Sequence, residues 1–223
     1  MELLQCTGVC EMSEYGYIPE APEQSFGNNK GIFNPKDIYD LTRADKYTNY
    51  GQLELIETQT AISGDSAMDF TTLGSYNVHF LIATNYKGAT DGQILNLRVS
   101  DDGGSTFKSA GYQYAYQKGQ ADGTFSEVKT TSTSSIAFAS GESGTTSNEI
   151  GNGYVYLYNL LDSSKYSFAT SHTTANDNTP VFETRFGSGV YPTSATHNAI
   201  RLLASSGNLT SLTASLYGIK EYS

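Results

Sequence analysis

From Leu53 onward the chain is written in short runs whose residues alternate between apolar and polar, each run closed by a cluster of Gly, Asn, Asp or Ser. A period of two sends successive side chains to opposite faces of an extended strand, so one row is buried only when such runs pair into sheets. In 93–99, Leu95, Leu97 and Val99 share one face while Asn96 and Arg98 share the other. The same criterion marks strands at 53–59, 67–71, 77–84, 93–100, 112–117, 135–139, 153–158, 165–171, 180–186, 199–205 and 209–218. The last two are joined by Ser205-Ser206-Gly207-Asn208 as a tight hairpin, with Leu212, Ala214 and Leu216 as the inward row. This many short strands predicts an all-β fold, an antiparallel β-sandwich of jelly-roll type. With 17 Tyr, 10 Phe and only 16% charged residues, the composition favours strands over helices. The Gly-, Ser- and Thr-rich stretches 118–134 and 141–153 read as loops.

The N-terminal part follows different rules. Residues 1–30 show neither a period of two nor one of 3.6, and the first basic residue is Lys30. Such a segment cannot build a core of its own and orders only against a partner surface. Asn34 then suits a helix N-cap, Pro35 the first helical position and Asp37 the positive end of the helix dipole, predicting a short helix to about Tyr47. The chain therefore divides into an arm with a short helix over 1–50 and a sandwich over 51–223. The arm's apolar anchors are Tyr15, Tyr17, Ile18, Phe26, Ile32, Phe33, Ile38 and Tyr39.

The octapeptide from Ser100 to Phe107 contains Asp102, Gly103, Gly104 and Thr106, and it reads as a hairpin turn. Its Asp and Ser side chains hydrogen-bond local backbone, and its glycines supply positive φ. It also resembles the Asp-box of sialidase-type propellers. One copy is present here, with no acidic, tyrosine and arginine cluster beside it, so the turn is read as structural.

No catalytic, cofactor-binding or metal-binding residues emerge. His79, His172 and His197 are scattered, with no His-x-Glu or His-Glu-x-x-His spacing and no Gly-x-Ser-x-Gly elbow. Cys6 and Cys10 are too few for a zinc site. A formal charge of −10 disfavours nucleic acid as partner, and no apolar run of spanning length points to membrane insertion. The N-terminus lacks the basic and apolar regions of an ordinary signal peptide. Tyr112, Tyr114 and Tyr116 form one alternating row and Tyr154, Tyr156 and Tyr158 another. Each suits inter-sheet core, a subunit contact or a sugar-stacking platform.

Several phrases recur in a telling order: Gly31-Ile32-Phe33 before the short helix, Leu55-Ile56-Glu57-Thr58-Gln59-Thr60-Ala61, and Asn77-Val78-His79-Phe80-Leu81-Ile82. The octapeptide follows, then the run from Asn198 to Asn208, then Leu216-Tyr217-Gly218-Ile219. Over residues 31–219 this order resembles the surface proteins of tailed-bacteriophage virions. That resemblance implies a jelly roll of the kind found on tail fibres, spikes and capsid decoration or cement proteins, commonly trimeric and without an enzymatic site. It implies manufacture in the host bacterial cytoplasm and a place on the virion surface. The expected partners are further copies in a homotrimer and the major capsid protein or tail proteins, with a host surface glycan as a further candidate. A single chain of 223 residues has no long shaft to carry a receptor-binding tip, which favours a capsid decoration protein. A tail-fibre or tail-spike adhesin and a carbohydrate-binding β-sandwich are the alternatives.

Overall fold

A computed structural model describes residues 24–25, 28–29, 35–44, 52–176, 179 and 181–221, with backbone alone at 24–25, 28–29 and 138–142. The chain forms two compact units, Met1–Tyr50 and Gly51–Ser223. In the first, β1 (Gln24–Ser25) and β2 (Asn28–Asn29) pair antiparallel, a short ladder that the composition did not suggest. The helix α1 (Pro35–Arg43) begins on Pro35 as expected and stops four residues before Tyr47. Asp37 lies in its first turn and Arg43 in its last, each complementing the dipole, and Lys36 pairs with Asp40 at 2.6 Å.

The second unit is built from twelve strands. They are β3 (Leu53–Ala61), β4 (Met68–Phe70), β5 (Val78–Gly88), β6 (Gln93–Ser100), β7 (Tyr112–Gln120), β8 (Phe125–Thr133), β9 (Ile136–Ser143), β10 (Gly151–Tyr158), β11 (Ser167–Asn176), β12 (Phe182–Tyr191), β13 (Ala199–Ala204) and β14 (Leu209–Ile219). The large sheet runs β3-β14-β5-β10-β11-β12-β7-β8 and the small sheet β4-β13-β6-β9. Setting aside β7, β8, β11 and β12 leaves eight strands. Numbered in chain order, their large-sheet sequence is first, eighth, third, sixth, and their small-sheet sequence is second, seventh, fourth, fifth. This is the strand order of a jelly roll, two interlocked Greek keys. The expected all-β sandwich is present. The four remaining strands are two inserted hairpins, β7–β8 and β11–β12, which widen the large sheet beyond β10.

The core lies between the sheets, where the alternation places its aliphatic rows. Leu81 and Ala83 of β5, Val155 and Leu157 of β10, and Ala214 and Leu216 of β14 face Phe70, Leu95, Leu97, Ile200 and Leu202 of the small sheet. Fully burying a side chain of this size stabilises by about 1.5–3 kcal/mol, so these rows set the register of both sheets.

Four expectations need correction. Ser205-Ser206-Gly207-Asn208 is not a hairpin turn, because β13 lies in the small sheet and β14 in the large one. Of residues 141–153 only 144–150 form a loop, the ends belonging to β9 and β10. Residues 118–134 are not a loop. They complete β7, turn at Asp122-Gly123 and form β8, the free edge of the large sheet. Strand β8 escaped notice because an edge strand with both faces largely exposed has no apolar row to betray it. The turn of Asp102, Gly103, Gly104 and Thr106 does form, but it does not cap a hairpin: β6 belongs to the small sheet and β7 to the large one, so it carries the chain between sheets.

Candidate interaction surface

The Ser100–Phe107 turn is held by its own side chains. Ser100 Oγ donates to Asp102 Oδ1 at 2.7 Å and accepts from the Gly104 N–H at 3.0 Å. Asp102 takes further bonds from the Thr106 N–H at 2.9 Å and the Thr106 hydroxyl at 2.6 Å, which hold its carboxyl well below the usual carboxylate range. Gly103 and Gly104 have φ of 74° and 88°, values that favour glycine. The Gly103 N–H is tied to Asn198 Oδ1 at 2.8 Å, anchoring the turn to the start of β13. The polar groups named here are spent within the turn or in tying it to Asn198, so the turn reads as architecture.

Two of the histidines are likewise packed into the fold, each with one ring nitrogen bonded and the other buried without a partner. His79 is fully buried, and its Nε2 donates to the Leu73 carbonyl at 2.8 Å. Tyr76 stands edge-on to it at 5.9 Å and lies flat across Gly218, where any side chain would collide with the ring. That packing gives the Asn77–Ile82 and Leu216–Ile219 phrases a structural meaning, because His79 and Gly218 are register partners. His197 is also buried, with Nδ1 bonded to Ser167 Oγ at 2.7 Å and the Tyr191 ring edge-on at 5.2 Å. Burial depresses both imidazoles below their ordinary value. Ser167 and His197 are thus a buried pair packed against Tyr191. Among the described residues no three His, Cys, Asp or Glu side chains converge as a metal would require, and no helix is long and apolar enough to cross a membrane.

At the wide end of the large sheet the inner face carries a buried ion cluster. Arg185 on β12 donates to Glu183 at 2.9 Å and to the Tyr116 hydroxyl at 3.1 Å, and Lys118 approaches Glu183 at 3.6 Å. Glu183 is wholly buried. Its charge is matched by two cations, which is what makes a buried carboxylate tolerable.

The outer face of the large sheet is different in kind. The small sheet covers the inner face, and the alternating positions opposite to it point away from the core. On β5 these are Val78, Phe80, Ile82 and Thr84, and on β10 Asn152, Tyr154, Tyr156 and Tyr158. On β11 they are Phe168, Thr170, His172 and Thr174, and on β12 Thr184, Phe186, Ser188 and Val190. Leu55, Thr58 and Thr60 of β3, Thr213, Ser215 and Tyr217 of β14, and Gln113, Ala115 and Gln117 of β7 complete the set. None of these is Asp, Glu, Lys or Arg. The first charges on this face are Glu127 and Lys129 on edge strand β8, paired with each other at 2.5 Å, and Lys87 lies past the Asn85 bulge at the far end of β5.

Aromatic rings dominate this surface. Phe80 lies 4.8 Å from Tyr156, 5.7 Å from Tyr154 and 6.3 Å from Tyr217, and Tyr154 meets His172 at 6.0 Å. Further out, Phe168, Phe186 and Phe182 are 45%, 51% and 49% exposed and Phe125 is 81% exposed. The Thr184 hydroxyl donates to the Thr173 carbonyl at 3.1 Å, so its 3.0 Å contact with His172 makes His172 Nε2 the donor there. Two shallow depressions lie on this face. One of about 350 Å³ is lined by Phe80, Ile82, Thr84, Asn152 and Thr174, and one of about 670 Å³ by Gln113, Lys129, Thr131, Phe168 and Val190.

The two tyrosine rows therefore part company. Tyr112, Tyr114 and Tyr116 face inward, whereas Tyr154, Tyr156 and Tyr158 face outward. Of the arm candidates, Ile38 and Tyr39 lie on α1, Ile38 half-buried and Tyr39 60% exposed with Arg43 over its ring at 5.7 Å. Tyr15, Tyr17, Ile18, Phe26, Ile32 and Phe33 lie outside the described residues. Sequence reasoning missed Phe80, Phe168, His172 and Phe186 as members of one surface. Only part of the signal is local: on β5 and β10 the row opposite the aliphatic one lacks Asp, Glu, Lys and Arg up to the Asn85 bulge, whereas Arg98 of β6 and Arg201 of β13 occupy the same kind of position, and only the topology tells the two sheets apart. Comparison with family profiles, with curated proteins and with solved structures finds no match to this chain.

Proposed function

We propose that the chain is a non-enzymatic structural protein of a bacteriophage particle, a capsid decoration protein that attaches through its N-terminal unit and displays the jelly roll outward. The observation that carries this reading is the contrast between the two units. The second has a complete core of its own, while α1 of the first buries none of its residues and leaves Tyr39 exposed. A helix of nine residues with half-buried Ile38 and Leu41 is too short to be stable alone and gains by docking on a larger body. The ordered run of phrases over 31–219 supports the particle assignment, and their structural roles around His79 and Gly218 agree with a scaffold. Attachment then proceeds by burying apolar anchors of the arm on a lattice, and association of copies multiplies weak contacts through effective concentration.

Cryo-electron microscopy of purified phage particles that encode this chain tests the assignment. Density repeated over the capsid surface is the expected result, density at the tail or its fibres would move the chain to a receptor-binding role, and absence from particles would overturn the proposal. A variant lacking residues 1–30 is expected to keep its folded body and to lose attachment. Wild-type occupancy by that variant would refute the arm as attachment element.

A further inference from the structure

We infer that the outer face of the large sheet is the surface through which copies of this chain associate. The inference rests on the proposed particle role only for the expectation that copies associate at all. Which surface they use follows from charge and area.

Charge comes first. A contact between identical chains sets a patch against itself or against another patch of the same molecule, so any net charge on a self-paired patch meets its own sign. The chain carries a formal charge of −10, which makes copies repel in general. The outer face escapes this penalty. From β3 across to β7 the outward positions short of the Asn85 bulge hold no Asp, Glu, Lys or Arg, Lys87 lies beyond that bulge at the end of β5, and the two charges on β8 cancel each other at 2.5 Å.

Area points the same way. Eight strands with about 4.8 Å between neighbours and about 3.3 Å per residue make a face of roughly 38 Å by 25 Å, on the order of 950 Å². A stable specific interface needs about 800 Å² from each partner. A bound oligosaccharide needs only one or two stacked rings and a groove. Here exposed rings spread from Tyr154 on β10 to Phe125 on β8, over five neighbouring strands, and the depressions between them are shallow. The inserted hairpins account for most of this width. The jelly roll is complete without them, and they add Phe168, Phe182, Phe186 and Phe125 to its outer surface. Aromatic rings with neutral Ser, Thr, Asn and Gln between them match the makeup of an interface centre, which is depleted in charge and enriched in aromatics.

The test is the mass of the full-length protein in solution by light scattering after size exclusion. Wild type is expected at two or three times the chain mass of 24.1 kDa, and Phe186→Glu, which puts a carboxylate at the middle of the face, at 24.1 kDa. Ser206→Glu, at the exposed β13–β14 turn, is expected to keep the wild-type mass. Circular dichroism melts confirm that each variant is folded. Should Phe186→Glu fail to fold, Thr170→Lys makes the same test from β11. Hydroxyl-radical labelling of wild type is expected to show Tyr154 and Phe186 protected as concentration rises.

A wild type that stays at 24.1 kDa up to about 100 µM, a range that already admits weak association, overturns the inference. So does an oligomer that both charge insertions leave intact. A monomer that binds a neutral oligosaccharide, with binding lost in Tyr154→Ala, would assign the face to sugar instead. The mass is read on the free protein, so a monomer refutes this surface and leaves arm attachment standing. Absence from particles refutes the particle role and leaves the surface standing.

Discussion

Tyr112, Tyr114 and Tyr116 on β7 and Tyr154, Tyr156 and Tyr158 on β10 share one spacing and end on opposite sides of one sheet. The residues between them explain why. On β10 the intervening positions are Val155 and Leu157, which take the inner face and leave the tyrosines outside. On β7 they are Gln113, Ala115 and Gln117, so the tyrosines are the more apolar row and turn inward. Burying a phenol requires a partner for its hydroxyl, a cost that aliphatic side chains do not carry. Tyr112 meets that requirement, donating to the Lys108 carbonyl at 3.2 Å and accepting from the Val99 N–H at 2.8 Å. Tyrosine thus takes whichever side the aliphatics leave.

The contrast is broken most forcefully in the inner row. Tyr112 is fully buried, so Tyr112→Ala opens a cavity and strips two hydrogen bonds, with an expected loss of about 3–5 kcal/mol in denaturant unfolding. Next comes Gly187 on β12, the register partner of Tyr116, where an added Cβ would strike both Tyr116 and the Ala115 carbonyl. Gly187→Ala is expected to cost about 1–3 kcal/mol by overpacking, and a melt within error of wild type would show that the strand yields.

Acid titration is expected to have a graded effect. Burial holds His79 and His197 neutral below the pH at which they protonate in the unfolded chain, although Asp101 near His197 partly offsets this. Their folded values are depressed, so the unfolded state binds more protons: stability is full above about pH 6.5 and falls as pH drops, by up to about 1.4 kcal/mol per unit for each histidine. Unfolding free energies between pH 7 and 5 check this, and a flat profile would contradict the burial of both rings. The smallest effect belongs to the outer row. Tyr154→Ala is expected to change the stability of dilute, unassociated protein by no more than about 0.5 kcal/mol, and to cost more at concentrations where copies associate.

Most of the fold was legible because the aliphatic rows are regular. Leu95, Leu97 and Val99, or Leu212, Ala214 and Leu216, announce strands with one buried face, and 93–100 matches β6 at both ends. Residues 125–133 were not legible, because Ser126, Glu127, Lys129 and Thr131 face solvent at an edge and nothing selects for apolar alternation there. The turn at Asp102 was readable as a turn but not as a passage between sheets, since local hydrogen bonds carry no information about which sheet comes next. The outer surface was the least legible part. A row of Ser, Thr and aromatic residues looks like any solvent face until the topology lines up seven strands and their shared lack of charge becomes one property.

The nesting of the two inserted hairpins also separates chain order from sheet order. Within the large sheet β7 pairs with β12, and β12 with β11 beside β10, while Tyr112 ties β7 directly to β6 of the small sheet. The β7–β8 hairpin is thus made before the strands beside which it lies in its sheet. Beyond β10 the large sheet therefore runs outward in space and, hairpin by hairpin, backward in sequence.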